Sequence, residues 1–504
     1  MSIQKRFAFS FLSNICKGVA LFTTSALIAR GLQPEIYGTY AFLLVVAVSI
    51  CSFMDMGTSK AFYTFISKKA QSKLFFIYYF TWILTQLLVV IISIYIVIPD
   101  HLISIVWKDN SRELAVLSFI AVFFQVHVWL VISQIGESLR KTYRVQSLNV
   151  SISVIHLLLI YTAHSLDLMQ LRTIYYFIIV EFIFSIGISY IILKVNFSSI
   201  IKNPNEYLKE YWAYCKPLIP YIWLGALAEF TDAWLLRNYG GSVEQSYYSI
   251  AVQFSLVSLM ATTAILKILW KEVAEANENG DEKTISQVYD KATHMLYAFG
   301  AIISGFLIPW ASEILTLSFG QVYIDGVVTM SIMLLYPIHQ SLGQIVAVMY
   351  MALEKTKIYV VINSVILFIS IISAYFILAP SNANVPGFGF SSDGLAMKMV
   401  LLQIFGVNLS MWWLAKHNNL PHKFSFQIFN MCLFLMLGYF VYFIINSVIF
   451  IDGNVFFKIL TAFIFYISIS LTLVYFLSYK LINIERKDLK KIINSIYLSG
   501  RLLK

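Results

Sequence analysis

Lys17 is the first residue whose type and position demand a chemical account, because it interrupts an apolar stretch running from about residue 8 to residue 29. Asn14, Lys17, Thr24 and Ser25 fall at helical spacing, which gives this stretch one polar stripe. A charge at the centre of a bilayer costs roughly 2.5–3.5 kcal/mol on insertion scales, so it needs a partner or a role. Lys17 can hold an anionic group in a cavity, with Asn14 beside it, or pair with a carboxylate on a neighbouring helix. Glu229 and Asp232 lie three apart, on one face of a later apolar stretch. Two carboxylates so placed can take a proton or a cation, or act as counter-ions to Lys17 or Arg237. Arg30 and Arg237 close two such stretches, where they can grip an anion or extend to the interface. Three further residues merit a place: Glu181, sharing a face with Ser185 and Ser189; His339, after Pro337 and before Gln340 and Gln344; and Asp55, the first charge after the run from Tyr40 to Met54.

Other chemistries lack their residues. The sequence has no GxxxxGK[ST] loop, no HExxH and no DxD, so neither ATP binding by that loop nor metal-assisted hydrolysis or transfer has a visible constellation. The four cysteines are isolated, with no CxxC, and read as small packing residues. No metal and no organic cofactor is expected; coupling to protons or sodium is. The net charge of +10 is deployed by topology rather than for nucleic acid.

The elements that must position these residues are membrane spans. The 504 residues are 59% hydrophobic and only 12% charged, against about 25% charged in soluble domains. Apolar runs of about 20 residues span a bilayer as helices, whereas barrel strands alternate over about ten. Fourteen windows fit: 8–29, 38–58, 74–98, 114–135, 146–164, 173–193, 217–238, 246–270, 292–311, 326–352, 358–379, 395–415, 427–450 and 456–479. The first is read as an uncleaved span, and Leu32-Gln33-Pro34-Glu35 as a turn into the second. An even number puts both termini on one side. Segments on that side hold 28 Lys and Arg against seven on the other, which predicts cytoplasmic termini. The segment 271–291 has helical spacing of apolar residues and is expected at the membrane surface.

The chain also repeats. At an offset of 214, residues 139–161 match 353–375 at Leu139/Leu353, Lys141/Lys355, Thr142/Thr356, Asn149/Asn363 and Tyr161/Tyr375. At 207, the first and seventh spans pair Gly18/Gly225, Thr24/Thr231 and Arg30/Arg237. Both offsets shift the chain by an even number of spans, the mark of parallel repeats with a site between halves. The expected architecture is an all-α polytopic membrane protein of about fourteen helices: lobes 1–200 and 201–424, two further helices over 425–480, and a basic tail 481–504.

The motif Gly-x-x-Pro-Glu-x-Tyr-Gly-x-Tyr-Ala (Gly31 to Ala41), then Asp55-x-Gly57, resembles the bacterial polysaccharide (O-antigen, Wzx-type) flippases of the multidrug/oligosaccharidyl-lipid/polysaccharide exporter superfamily. Pro217, Pro220 and Asp232, Gly240-Gly241 before Tyr248 and Ala251, and Phe319-Gly320 with Tyr323 look like its second-lobe motifs. Ser246 departs from a frequent glycine, and Asp55-x-Gly57 has no second-lobe counterpart. The resemblance implies an inner-membrane protein, not an enzyme, that flips undecaprenyl-diphosphate-linked oligosaccharide for lipopolysaccharide or a related polysaccharide. It implies the bilayer, a polymerase and chain-length proteins as partners, and no nucleic acid. Two transport alternatives are a peptidoglycan-precursor flippase and a drug/cation antiporter. A membrane polymerase or ligase is a third, weakened because even the longest outside loops, 99–113 and 380–394, are short.

Overall fold

A segment that crosses hydrocarbon must satisfy its own backbone hydrogen bonds, and apolar stretches of this length do so as helices. The computed structural model agrees. It describes residues 3–68, 73–194, 204–260, 263–421, 424–447, 455–483, 485 and 487, and every regular element among them is helical. The basic tail predicted over 481–504 lies mostly outside the described residues.

The first helical stretch, α1 (Ile3–Asp55), is two helices joined at a kink. The turn predicted at Leu32-Gln33-Pro34-Glu35 is present: Gln33 (φ 62°, ψ 163°) leaves the helical region, and one helix ends and the next begins there. Pro34 has no N–H to give the Arg30 carbonyl. The Gln33 side chain supplies the missing donor, its Nε2 reaching Arg30 O at 2.9 Å. Ser25 Oγ and Tyr37 Oη, 3.0 Å apart, tie the two halves across the break.

Among the described residues nine helices are long and apolar enough to cross a membrane, with α1 counted once although it contains two of the predicted spans. They are joined by two helix pairs bent at 74° and 41°. Another two helices, α10 and α11, are 21 and 20 residues long and span-length in their own right. The protein is an all-α polytopic membrane protein, and its helices account for the fourteen windows. The window 246–270 is divided between two helices, with residues 261–262 between them outside the described set.

The chain forms two compact units. The first comprises Met1–Ser249 and Leu367–Leu395. Its α1 is followed by α2 (Thr58–Lys68), α3 (Lys73–Ile92), α4 (Asp100–Trp107), α5 (Arg112–Val122), a π-helical turn (Phe123–Val128), α6 (Trp129–Ser138), α7 (Thr142–Ser165), α8 (Leu171–Leu193), α9 (Pro204–Cys215), α10 (Ile219–Tyr239) and the start of α11 (Gly241–Met260). Helices α1 and α7 lie side by side in the same direction. Phe9 meets Tyr143 at one end, with ring centroids 4.4 Å apart, and Gly31 abuts His164 and Met169 at the other. Helix α10 runs antiparallel to the second half of α1. Trp223 Nε1 donates to Phe53 O at 2.9 Å, and Arg237 Nη2 to Thr39 Oγ1 at 3.3 Å.

The second unit comprises Ile250–Ile366 and Ala396–Lys504. It holds α12 (Thr263–Glu278), α13 (Glu282–Leu307), α14 (Ala311–Phe319), α15 (Val327–Met333), α16 (Tyr336–Ala352), α17 (Thr356–Leu378, entering the first unit at residue 367), most of α18 (Ser392–Asn418), α19 (Ser425–Ser447), α20 (Val455–Phe476) and α21 (Ser478–Ile482). Its core is built along α13 from Tyr289, Leu296, Tyr297 and Ala301 with Ile338, Leu342 and Ile345 of α16 and Phe434 of α19. In lipid, close packing between small residues replaces hydrophobic expulsion as the cause of helix association. Gly305 and Gly438 meet so closely that a methyl on Gly438 would lie 1.8 Å from Gly305 O. The bend before α16 falls beside Pro337.

The repeat is visible as a turn built twice. Arg140 and Glu354 both have φ 57°. In one turn Leu139, Arg140 and Lys141 N–H donate to Ile135, Glu137 and Gly136 carbonyls. In the other, Leu353, Glu354 and Lys355 donate to Met349, Met351 and Tyr350. Every position is offset by 214, and α7 and α17 both begin at the threonine that follows.

Candidate functional site

Lys17 is half-buried on α1 and makes no hydrogen bond or ion pair with any described residue. Asn14 is half-buried beside it in sequence. The rest of the predicted stripe is occupied. Thr24 donates to the Ala20 carbonyl at 2.8 Å, and Ser25 is tied to Tyr37. Lys17 and Asn14 are the part of the stripe with no partner among the described residues.

Arg30 is exposed just before the break in α1 and engaged by neighbours. Arg237 sits near the end of α10 and lines a cavity of about 450 Å³ with Glu35, Thr39, Arg172 and Ser242. Its Nη2 donates to Thr39, whereas Nη1 is buried without a hydrogen-bond partner among the described residues. The cavity thus joins Glu35, recognisable in sequence, to Arg237 some 200 positions later. Gly38 makes the approach: a β-carbon there would fall 1.7 Å from Ser242 O. A residue not singled out from the sequence completes this end. Lys108, in the turn after α4, lies 3.7 Å over the Trp234 ring and donates to Asn238 Oδ1 at 2.5 Å. Partial burial lowers the Lys108 amine from its ordinary value, opposed by Asp109 and reinforced by Arg237.

Glu229 and Asp232 lie on α10 between its contacts at Trp223 and Arg237. Glu229 is exposed, and Asp232 is half-buried and has partners. Lys17 forms no ion pair with either carboxylate.

The other three candidates have defined surroundings. Asp55 is buried and saturated: it accepts from the N–H groups of Gly57 and Ser59 and from the hydroxyls of Thr58 and Ser59. It caps α2 after the positive φ angles of Met56 and Gly57. His339 is 4% exposed, neither ring nitrogen has a partner among the described residues, and its ring packs edge-on against Tyr297 at 5.5 Å. Glu181 is buried beside His156 of α7, and no motif signals that partner, 25 residues away. Among the described residues no cluster of His, Cys, Asp or Glu has the arrangement of a metal site.

The second unit holds a cavity of another kind. A space of about 260 Å³ lies between α16, α17 and α18, lined by Gln340, Gln344, Asn363, Gln403, Ser410 and two tyrosines among others. Its polar side chains are uncharged and offer both donors and acceptors. Gln403 Nε2 donates to Gln340 Oε1 across it. Gly343 keeps it open, since a β-carbon there would stand 2.9 Å from both amides.

No family model matches this sequence, and no curated protein does. Solved structures do match. The lipid II flippase MurJ, in an inward closed conformation, superposes with a TM-score of 0.66 at 15% identity, covering 94% of this chain and 99% of its own. A MATE-family multidrug resistance transporter of the MOP superfamily, inward-facing, gives 0.57 at 13% identity over 83% of this chain and 95% of its own. The Vibrio cholerae MATE transporter VcmN, in a point-mutant form, gives 0.53 at 14% over 82% and 96%. The chain therefore has the fold shared by the MurJ flippase and the MATE transporters.

Proposed function

We propose that this protein is a flippase for an undecaprenyl-diphosphate-linked oligosaccharide, an O-antigen or related repeat unit. It moves this substrate from the cytoplasmic to the periplasmic leaflet of a bacterial inner membrane by alternating access between lobes 1–200 and 201–424. The observation that carries this reading is the extent of the match. The MurJ flippase aligns with 94% of this chain, whereas the MATE transporters leave about a sixth of it uncovered. A diphosphate cannot enter hydrocarbon unaided, and Lys17 offers a membrane-embedded cation with no ion-pair partner among the described residues. The uncharged amide cavity suits hydroxyl-rich sugars in the same transport cycle.

The likeness to MurJ favours one second reading, a flippase for a peptidoglycan lipid precursor. Expression in two bacterial strains separates the readings. One lacks its O-antigen flippase and the other is depleted of its lipid II flippase. Restored surface polysaccharide in the first, without rescued growth in the second, supports the proposal; the reverse pattern supports the second reading.

A further inference from the structure

An ionisable pair lies midway along two helices of the first unit. His156 is near the middle of α7 and Glu181 near the middle of α8, and each is 7% exposed. His156 Nδ1 and Glu181 Oε2 are 2.8 Å apart. The second carboxylate oxygen, Oε1, is buried and has no hydrogen-bond partner among the described residues. Ser185 and Ser189 continue the same face of α8 at intervals of four, both buried.

An unmet buried acceptor costs about 1–3 kcal/mol, a cost that a proton on that oxygen would relieve only in part but that makes it the place where a proton can bind. This pair leaves a carboxylate oxygen open. Its two internal states, imidazolium with carboxylate and imidazole with carboxylic acid, are both neutral overall, so the shared proton can sit on either partner without net charge. The elements packed against the pair carry Cys16, Lys17, Arg30, Tyr37, Tyr40, Cys51 and Asp55 on α1, His127 in the π-helical turn and Glu137 on α6; Tyr161 lies on α7 and Tyr175 on α8 themselves. At the ends of α8, Arg144 donates to Ile192 O, and Arg172 pairs with Glu113 at 2.7 Å. No ion pair joins any of these groups to His156 or Glu181.

We propose that His156 and Glu181 form a proton-binding site through which transport is coupled to a proton gradient. Uptake forms an O–H bond at Glu181 from an oxygen lone pair and a proton delivered by water. The pair becomes imidazolium with carboxylic acid, at a net charge of +1. Release breaks that bond and returns the proton to water on the other side, and no electrons are exchanged. The inference rests on the reading of the protein as a transporter, and it assigns coupling to α7 and α8 rather than to Glu229 and Asp232.

The test uses the full chain in proteoliposomes. Infrared difference spectra over a pH series, with isotope-labelled glutamate, should show a carboxylic C=O band that grows as pH falls and is missing in Glu181→Gln. Glu181→Asp, which keeps the charge, should retain a band with a moved midpoint, and covers the case in which the Gln variant fails to fold. With a lipid-linked oligosaccharide as probe, a pH gradient should raise wild-type transport several-fold. Glu181→Gln should transport equally with and without the gradient, while Asp232→Asn keeps the response. Identical spectra in wild type and Glu181→Gln, or a gradient response lost only in Asp232→Asn, overturns the site. A titrating band in a protein that moves no oligosaccharide leaves the proton site standing and removes the flippase reading.

Discussion

The Asp55 carboxylate holds Ser59 twice, accepting its backbone N–H at 2.9 Å and its hydroxyl at 3.0 Å. With Gly57 and Thr58 it takes four donors, enough to fix the turn between α1 and α2. Asp55→Ala should destabilise the protein by about 1–2 kcal/mol, the upper range for a lost helix cap. Asp55→Asn should cost less, since its carbonyl oxygen can still accept. Thermal unfolding in detergent checks this order; equal midpoints for Ala and wild type would show the turn held by other contacts.

Two glycines, Gly38 and Gly438, mark close helix crossings, and a third, Gly225, stands in open space. Gly38→Ala and Gly438→Ala each force a methyl into a carbonyl group, Ser242 O at 1.7 Å and Gly305 O at 1.8 Å. Gly225, the repeat counterpart of Gly18, has nothing within 4 Å of an added β-carbon. Gly225→Ala should therefore be neutral or stabilising by up to about 1 kcal/mol, by helix propensity alone. The two crossing variants should lose several degrees of melting temperature. A melting curve for each decides the matter, and a Gly438→Ala protein as stable as Gly225→Ala would refute the packing account.

Periodicity and length made most of the spans legible, because a bilayer permits so few backbone solutions. The repeated turn at Lys141 and Lys355 was legible as well, since its lysine and threonine recur at one offset. What sequence obscured was partnership. Ser25 and Thr24 look available on a polar stripe but are consumed by Tyr37 and by the Ala20 carbonyl. Glu181 shows itself as a lone acid, while His156, its partner, comes from another helix at no motif spacing. Pro34 announces a chain break, yet nothing in the pattern says that the Gln33 side chain will reach the Arg30 carbonyl left without a donor. Gln403 and Asn363 converge with Gln340 only because α16, α17 and α18 pack together.

The charge bias of 28 to seven predicts cytoplasmic termini. Reporter fusions at Asn384 and Ser391 should report the periplasm, and fusions at Asn279 and after Lys504 the cytoplasm. A cytoplasmic signal from either of the first two would break the proposed lobe arrangement.

Lys17 tests the account of the substrate at one residue. Lys17→Arg should keep most activity, because a cavity cation attracts a diphosphate by charge more than by fork geometry. Lys17→Ala removes an insertion cost and should reach the membrane at normal abundance. It should nonetheless stop surface polysaccharide and leave the lipid-linked unit in the cytoplasmic leaflet. Immunoblots of membranes read beside polysaccharide ladders give both quantities. Full ladders at normal abundance refute the cavity role.

Movement of a lipid-linked oligosaccharide across the bilayer can be read directly in a translocation assay. The purified full chain is reconstituted in liposomes carrying fluorescent undecaprenyl-diphosphate oligosaccharide in both leaflets, and an impermeant reagent destroys the exposed label. With the protein present, loss of fluorescence should run past the half held in the outer leaflet towards completion, and Lys17→Ala should return it to half. Wild-type vesicles that stop at half, like protein-free ones, would contradict the account.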